Sequence, residues 1–379
     1  MPTSSSPNSQ LIGQPRSRWE LLTPALVLDL DALEGNIAAM AAWAKAGQHA
    51  LRPHGKSHKS PDIARLQAAA GAVGLCCASL REAQVMAEHG IAGLLITTPL
   101  APHKASLVAD MAKSGADISV VADHVDLVSA YGEAAEEAGV VLPIFVDLDV
   151  GLGRTGTPSA QVAVELAGLI TAHPSLHYGG VQGYMGHLQH VDDHGQRRKD
   201  LNQPSGDLQG IVDALIKANL PPDVVSGGGT GTHRLDAEYG TLGEFQVGSY
   251  LFMDVQYLTV QQSESDERPY QPALFVQTSV VNINHANYAV TDAGLKSFAT
   301  DGPAPLITQG APAGAKYRYM GDEHGAIDFK KSYDSMALGD KVECLVPHCD
   351  PNVNLYNDYH VVRGDVLVDI WPVAARGNS

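Results

Sequence analysis

One lysine of this chain lies in a segment whose composition could make it a nucleophile. Lys56 occurs in RPHGKSHK, where it follows a glycine that lets the backbone approach a ligand. Three basic neighbours, His54, His58 and Lys59, surround it. Positive neighbours lower the pKa of a lysine toward the neutral amine, which can attack a carbonyl and form an imine. We therefore identify Lys56 as a candidate for covalent attachment of a carbonyl-bearing cofactor; a solvated basic loop is the alternative.

A histidine and an aspartate separated by one residue form a candidate metal site. They are His348 and Asp350 in LVPHCDPNVN. If this segment is extended, the two side chains share one face and Cys349 points to the other. Imidazole and carboxylate, completed by water, suit Mn, Mg or Co better than a closed thiolate zinc site. Glu323 and His324 are further polar residues that could line the same site. A plain turn and a charged surface loop are the alternatives.

Two glycine-rich segments follow predicted strands late in the chain, SGGGTGT at 226–232 and QVGSY at 246–250. Such turns can aim backbone N–H groups at one phosphate, and nearby hydroxyls add donors. The first segment lacks the spacing of a dinucleotide-binding motif, and an ordinary flexible turn is the alternative. The candidate phosphate-binding residues are Ser226, Gly228, Gly229, Thr230, Gly248 and Ser249.

Two more segments carry polar residues just past predicted strands. Arg154 could hydrogen-bond an anionic oxygen of a cofactor ring, and Tyr184 could contact the same cofactor. His187, His190 and His194 have helical spacing, so a three-histidine metal face is one interpretation and a polar loop is another. A single one of these histidines would suffice as a general base.

The composition is that of a globular protein acting on small molecules. The chain has 379 residues and a formal net charge of −17, which disfavours nucleic acid and anionic membranes as partners. Two of its four cysteines are adjacent, which does not indicate a disulfide framework. No apolar run is long enough to span a membrane, and the amino terminus does not resemble a signal peptide. We expect a cytoplasmic protein with no nucleic-acid or membrane partner.

Short apolar runs alternate with helical patterns eight times between about residue 49 and residue 257. This alternation predicts a (β/α)8 barrel, with a doubly wound sheet as the rival. The remainder is rich in Val, Thr, Gly and Pro and predicts a mostly β domain. We therefore expect a loosely held amino-terminal arm at 1–22, a barrel at 23–260 and a β domain at 261–379; the strand at 23–30 could join either domain.

Several motifs occur in a fixed order from residue 23 to about residue 377: TPALVLDLDALEGNI, RPHGKSHK, GLCCAS, DLDVGLGRTG, VSGGGTG, QVGSYLFMD, DAGLKS, DEHG and HCDP. Together they closely resemble the metal-activated D-threonine aldolase family. The resemblance implies the alanine racemase-like fold of type III pyridoxal phosphate (PLP) enzymes, with a barrel that carries the cofactor and a β domain that carries the metal. It also implies a homodimer.

The resemblance assigns a role to each matching position. It implies that Lys56 binds PLP, that Arg154 and Tyr184 contact it, and that His190 is an acid/base near the substrate hydroxyl. It places a divalent ion, Mn before Mg or Co, on His348 and Asp350. His187 and the segment 255–270 depart from the family pattern, and we expect the second departure to alter substrate fit or a subunit contact.

The implied reaction is cleavage of D-threonine or a related D-3-hydroxy-amino acid to glycine and an aldehyde. Related enzymes act as 3-hydroxy-D-aspartate aldolases or as D-serine and D-3-hydroxyaspartate dehydratases, which typically carry Cys where this chain has Asp350. The aspartate therefore favours aldol cleavage over elimination. A non-catalytic PLP-binding protein is the remaining alternative, which the β domain argues against.

Overall fold

The structure is a computed structural model that describes residues 6–265, 268–329 and 336–377, so residues 1–5 of the predicted arm lie outside the described residues. The strands are β1 (Ala25–Asp29), β2 (Ala50–Leu51), β3 (Leu75–Cys77), β4 (Leu94–Ile96), β5 (Ile118–Ala122), β6 (Leu142–Leu148), β7 (Leu176–Gly183), β8 (Val224–Gly227), β9 (Glu244–Phe245), β10 (Leu274–Asn282), β11 (Tyr288–Thr291), β12 (Leu306–Gln309), β13 (Lys316–Tyr319), β14 (Gly325–Asp328), β15 (Lys341–Leu345), β16 (Asp358–Arg363) and β17 (Val366–Pro372).

The α-helices are α1 (Leu30–Gly47), α2 (Pro61–Ala69), α3 (Leu80–Glu88), α4 (Ala105–Lys113), α5 (Val125–Ala138), α6 (Ala160–Ala172), α7 (His194–Lys217), α8 (His233–Tyr239), α9 (Val255–Leu258) and α10 (Cys349–Val353). Each strand from β2 to β9 is followed by one helix, from α2 to α9 in the same order. None of the described helices is long and apolar enough to cross a membrane.

Strands β2 to β9 form a parallel sheet in the order β2-β9-β8-β7-β6-β5-β4-β3. The two outer strands meet just beyond β2, where the Cys76 N–H donates to the Pro53 carbonyl over 2.8 Å and His54 bridges to Cys76. The sheet therefore closes, which confirms the predicted (β/α)8 barrel and excludes the doubly wound alternative. Strands such as β3 and β4 are buried throughout, which explains their continuous apolar sequence.

The second sheet is the mostly β unit that the sequence predicted. Its strands run in the order β13-β14-β11-β10-β1-β16-β17; β15 also pairs with β10, and β12 pairs with β15. Strand β1 pairs antiparallel with β10 and parallel with β16. The strand that precedes the barrel in the chain therefore belongs to the second sheet and not to the barrel.

The amino-terminal segment packs against the second sheet, and the prediction of a loosely held arm is wrong for residues 6–22. The Arg18 guanidinium donates twice to the carboxylate of Glu343 on β15, over 2.8 and 3.0 Å. Both side chains are nearly inaccessible to solvent. The polar composition of this segment suggested that it has no fixed structure. The charged group that holds it, the Glu343 carboxylate, lies more than 300 residues away in the chain and is not visible in the local sequence.

Candidate active site

A cavity of about 220 Å³ lies at the carboxyl ends of the barrel strands, where α10 of the second unit reaches the barrel. Carboxyl ends of barrel strands are where side chains from different strands converge. Eleven of the candidate residues predicted from the sequence line this cavity: Lys56, Arg154, Tyr184, His190, Gly228, Gly229, Thr230, Gly248, Ser249, His348 and Asp350.

Lys56 lies in a short 3-10 helix just beyond β2 and contacts the predicted metal site directly. Its Nζ is 2.9 Å from Oδ2 of Asp350. The negative charge of Asp350 raises the pKa of Lys56, and this effect outweighs the burial that would lower it. The amine needed for covalent attachment and one of the two predicted metal ligands therefore occupy the same end of the cavity.

The basic neighbours of Lys56 do not lower its pKa in the way the sequence predicted. Burial lowers the pKa of His54 to about 3 and that of His58 to about 4, so both imidazoles are neutral near pH 7. Lys59 points elsewhere and forms an ion pair of 2.6 Å with Glu82. In the folded protein the two histidines are uncharged and Lys59 is paired with Glu82. These three residues therefore do not form a positive cluster around Lys56.

His348 and Asp350 line one cavity, but the segment that carries them is not a strand. His348 is extended, whereas Asp350 lies in the first turn of α10. Asp254, which is fully buried at the end of the barrel, accepts the Cys349 N–H over 2.7 Å and the Tyr257 N–H over 3.1 Å. This carboxylate ties the segment to the barrel, so a tertiary contact and not strand alternation brings the two side chains together.

His348 has a carboxylate partner that the sequence gave no reason to select. Its Nδ1 lies 2.7 Å from Oδ2 of Asp301. Because a carboxylate only accepts, Nδ1 carries the proton and Nε2 keeps its lone pair for a metal ion. Among the described residues, no group of three or more His, Cys, Asp or Glu could hold a metal. Two protein ligands would leave the rest of the coordination shell of a metal ion to water.

Glu323 and His324 are not among the residues that line the cavity. Glu323 forms an exposed ion pair of 2.6 Å with Lys296. The surface-turn interpretation of this segment is therefore the correct one.

The glycine-rich segments present free backbone donors to the cavity. Within the part of the chain that the structure describes, the N–H groups of Gly229, Thr230 and Ser249 have no acceptor. A Cβ at position 229 would lie 2.5 Å from Oε1 of Gln189, whose amide is held by hydrogen bonds to Met185, Thr232 and Gly231, so glycine is favoured there. Thr230 Oγ1 accepts the Tyr250 N–H over 2.9 Å and so links the two segments. Unpaired N–H groups that converge in this way fit a phosphate.

Arg154, Tyr184 and His190 line other walls of the cavity. The Arg154 guanidinium lies 5.7 Å from the centroid of the Tyr184 ring, a cation–π distance. His190 lies 4.6 Å from the ring of Tyr257, and partial burial, with a smaller effect of the nearby His348, lowers its pKa. His190 is therefore neutral near pH 7 and can accept a proton.

The three histidines with helical spacing do not form a metal face. His187 is exposed on a short 3-10 helix, Gly186–Leu188, and His194 begins α7. Of the three, His190 alone lines the cavity, because the chain turns between the two helices.

Ser226 does not contribute a hydroxyl to the cavity. Its side chain is fully buried inside the barrel, where the Oγ donates to Glu244 over 2.7 Å. The cavity instead exposes Gln182 and Gln246, which the sequence analysis missed. Both glutamines occur at or just past the ends of predicted strands, so the strand-end rule that selected Tyr184 could have found them.

The comparisons with known proteins agree with this geometry. The family model for the amino-terminal domain of alanine racemase matches residues 28–256, and the serine dehydratase domain model matches residues 273–362. A 3-hydroxy-D-aspartate aldolase of Paracoccus denitrificans (strain Pd 1222) is 38% identical over 95% of this chain and 93% of its own length. The chain belongs to the D-threonine aldolase family of alanine racemase-like proteins.

Two further members of the D-threonine aldolase family support this assignment. A D-threonine aldolase of an Arthrobacter species is 35% identical over 97% of this chain and 95% of its own length. The crystal structure of the D-threonine aldolase of Filomicrobium marinum superposes with a TM-score of 0.91 and 34% identity, over 95% of this chain and 97% of that one. The likeness therefore covers both the barrel and the second sheet.

Proposed function

We propose that this protein is a lyase that cleaves D-threonine or a related D-3-hydroxy-amino acid, such as 3-hydroxy-D-aspartate, into glycine and an aldehyde. The observation that carries the proposal is the 2.9 Å contact between Lys56 Nζ and Asp350 inside a cavity with free backbone donors. This contact supports the proposal, because cleavage next to a hydroxyl calls for a cofactor-binding amine close to a metal-binding side chain.

The residues of the cavity fit pyridoxal 5′-phosphate. Lys56 would hold its aldehyde carbon, the donors at Gly229, Thr230 and Ser249 its phosphate, and Arg154 its ring oxygen. When bound, this cofactor accepts the electron pair that remains at Cα as the Cα–Cβ bond breaks. Lys56 Nζ would then return a proton to Cα, since a lysine at the reacting carbon can act as an acid.

The β-hydroxyl of the substrate must lose its proton before Cα–Cβ cleavage. His348 and Asp350 would hold a divalent ion, of which Mn is the best match to one nitrogen and one carboxylate ligand, with Mg or Co as alternatives. Such an ion lowers the pKa of a bound hydroxyl. The neutral imidazole of His190 would accept that proton, because its lowered pKa keeps it unprotonated near pH 7.

The proposal is tested with purified protein that has been supplied with PLP and Mn²⁺. We expect glycine to form from D-threonine and from 3-hydroxy-D-aspartate, at a rate that EDTA abolishes. The Lys56→Ala variant should lose the visible absorbance of the bound cofactor and nearly all turnover. Ammonia and a keto acid as the products would identify a dehydratase instead, and an active, coloured Lys56→Ala variant would refute the role of Lys56.

We also propose that the protein is a cytoplasmic homodimer. All four cysteines are buried and unpaired, as is usual in a reducing compartment. The dimer is implied by the resemblance to fold type III enzymes, and light scattering after gel filtration measures it directly.

A further inference from the structure

The barrel interior below the cavity contains a continuous chain of hydrogen-bonded polar side chains. It begins at Gln182 on β7, passes through Gln246 just beyond β9, and ends at the ion pair between Glu244 and Arg52. The members are Asp147, Gln182, Gln246, Ser226, Glu244 and Arg52. Most barrel interiors are filled by apolar side chains, so this chain of polar groups requires an explanation.

The upper half of the chain fixes the orientation of the Gln182 amide. Gln182 Nε2 donates to Asp147 Oδ1 over 2.8 Å and to the Thr97 carbonyl over 2.9 Å. A carbonyl oxygen only accepts, so the NH₂ group must point toward these two oxygens. Gln182 Oε1 therefore points at Gln246 and can only accept a hydrogen bond from it, over 3.1 Å.

The lower half fixes the orientation of Gln246. Glu244 forms an ion pair of 2.9 Å with Arg52, so its carboxylate is an acceptor and the hydroxyl proton of Ser226 points to it, over 2.7 Å. Ser226 Oγ is then left to accept from Gln246 Nε2, over 2.9 Å. Both N–H bonds of the Gln246 amide are thus used inside the barrel, one toward Ser226 and one toward Gln182.

The remaining polar atom of Gln246 is its carbonyl oxygen. Gln246 lines the cavity, and its Oε1 has no hydrogen-bond partner among the residues that the structure describes. The cavity floor therefore presents one uncharged acceptor whose orientation is held from below. A ligand group that contacts this oxygen must carry a hydrogen, because a bare lone pair would face another lone pair.

We propose that Gln246 Oε1 accepts a hydrogen bond from the protonated ring nitrogen of the cofactor, and that Ser226 is a positioning residue that prevents the amide from turning over. The inference rests on the proposed function, because it takes PLP as the ligand. In that molecule the ring nitrogen lies opposite the carbon that bears the aldehyde. An aldehyde at Lys56 and a phosphate at Gly229 and Ser249 leave the ring nitrogen to the barrel interior, where Gln246 lies.

An amide in this orientation selects one protonation state of the ring. The protonated ring is the stronger electron acceptor, so the held carbonyl favours the form that stabilises negative charge at Cα. If the amide turned over, its N–H would instead favour the unprotonated ring. Ser226, which does not touch the cavity, would in this way determine the electronic state of the cofactor.

The test uses holoenzyme loaded with PLP that carries ¹⁵N in the ring, whose NMR shift reports protonation of that nitrogen. We expect the protonated form in the natural protein. The Gln246→Met variant should move the signal toward the unprotonated form and weaken PLP binding about ten- to a hundredfold, as for loss of a hydrogen bond to a charged group. Binding is measured from the visible absorbance during titration with PLP.

Two variants of Ser226 test the orientation itself. Ser226→Ala should move the ¹⁵N signal in the same direction, because it removes one of the two acceptors that hold the amide in place, and Ser226→Thr should restore it because the hydroxyl returns. Gln277→Met, which replaces a fully buried glutamine of β10 outside the cavity, is the matched control and should leave signal and affinity unchanged.

An unprotonated ring nitrogen in the natural protein would overturn the inference. An unchanged signal in both Gln246→Met and Ser226→Ala would overturn it as well. In either case saturable PLP binding would leave the proposed function intact, whereas a failure of the natural chain to bind PLP at all would refute both.

Discussion

Asp301 determines which nitrogen of His348 faces the cavity, because its carboxylate accepts a hydrogen bond of 2.7 Å from Nδ1–H. We predict that Asp301→Ala lowers the affinity for Mn²⁺ about 10- to 100-fold, which is typical for loss of a carboxylate behind a metal-binding histidine. Isothermal titration calorimetry of the PLP-loaded protein measures this affinity. Glu323→Ala removes an exposed carboxylate of the same domain and is the control. Equal affinities in the two variants would refute the role of Asp301.

His190 is the residue whose loss should slow the reaction without disturbing binding. Because it would accept the hydroxyl proton, we predict that His190→Asn lowers kcat about 10²- to 10⁴-fold, the usual contribution of a general base. The visible absorbance of the bound cofactor and the Mn²⁺ affinity should be preserved. His187→Asn, which alters an exposed histidine outside the cavity, should retain normal turnover. A comparable loss in both variants would contradict the assignment.

Residue types and strand ends predicted the walls of the cavity, but not the contacts between them. Lys56 lies past one strand and Asp350 in another domain, so residue types alone did not bring them together, and their 2.9 Å contact depends on the tertiary fold. The pairing of Asp301 with His348 was equally invisible, since 47 residues separate the two in the chain. The predicted lowering of the Lys56 pKa was wrong for the same reason: linear neighbours were counted, and burial and Asp350 were not.

The strands and helices of the barrel were predictable because each depends on a local pattern. Continuous apolar runs mark strands that are buried on both faces, and amphipathic stretches mark the helices that cover them. Helix α10 was missed because it has only five residues, too few for a periodic pattern. Its first turn is instead held by Asp254, which lies 95 residues earlier in the chain.

The amino-terminal segment is held by one buried ion pair, and its contribution can be measured. We predict that Arg18→Met lowers the free energy of unfolding by about 3–5 kcal/mol, because it leaves the fully buried carboxylate of Glu343 without a partner. Denaturation with urea, with metal and cofactor held constant, measures the change. Arg65→Met breaks the exposed pair with Asp62 and should cost less than about 1 kcal/mol. An equal, small effect of both substitutions would show that the segment is loosely held after all.

At the scale of the whole molecule, His233 lies where the barrel, helix α1 and the connection to the second sheet meet. Its Nδ1 donates to the Thr230 carbonyl over 2.9 Å, which leaves Nε2 to accept from the Tyr270 hydroxyl over 3.1 Å. The ring of Trp43 from α1 packs edge-on at 4.7 Å. The Thr230 carbonyl fixes a proton on Nδ1, and the complete burial of the ring disfavours a second proton on Nε2, so the imidazole is neutral.

The neutral state of the buried His233 predicts how the stability of the protein depends on pH. Burial lowers the pKa of His233 from 6.5 to about 3, so below pH 6.5 the unfolded chain binds a proton that the folded protein excludes. The stabilisation from His233 is therefore complete above pH 6.5 and is lost toward pH 3, by about 1.4 kcal/mol per pH unit. We predict that His233→Gln, which cannot titrate, removes this slope from the free energy of unfolding measured in urea between pH 7 and pH 5. Because all other groups contribute equally to both proteins, identical slopes for the two would show that His233 binds its proton equally well in the folded and the unfolded state.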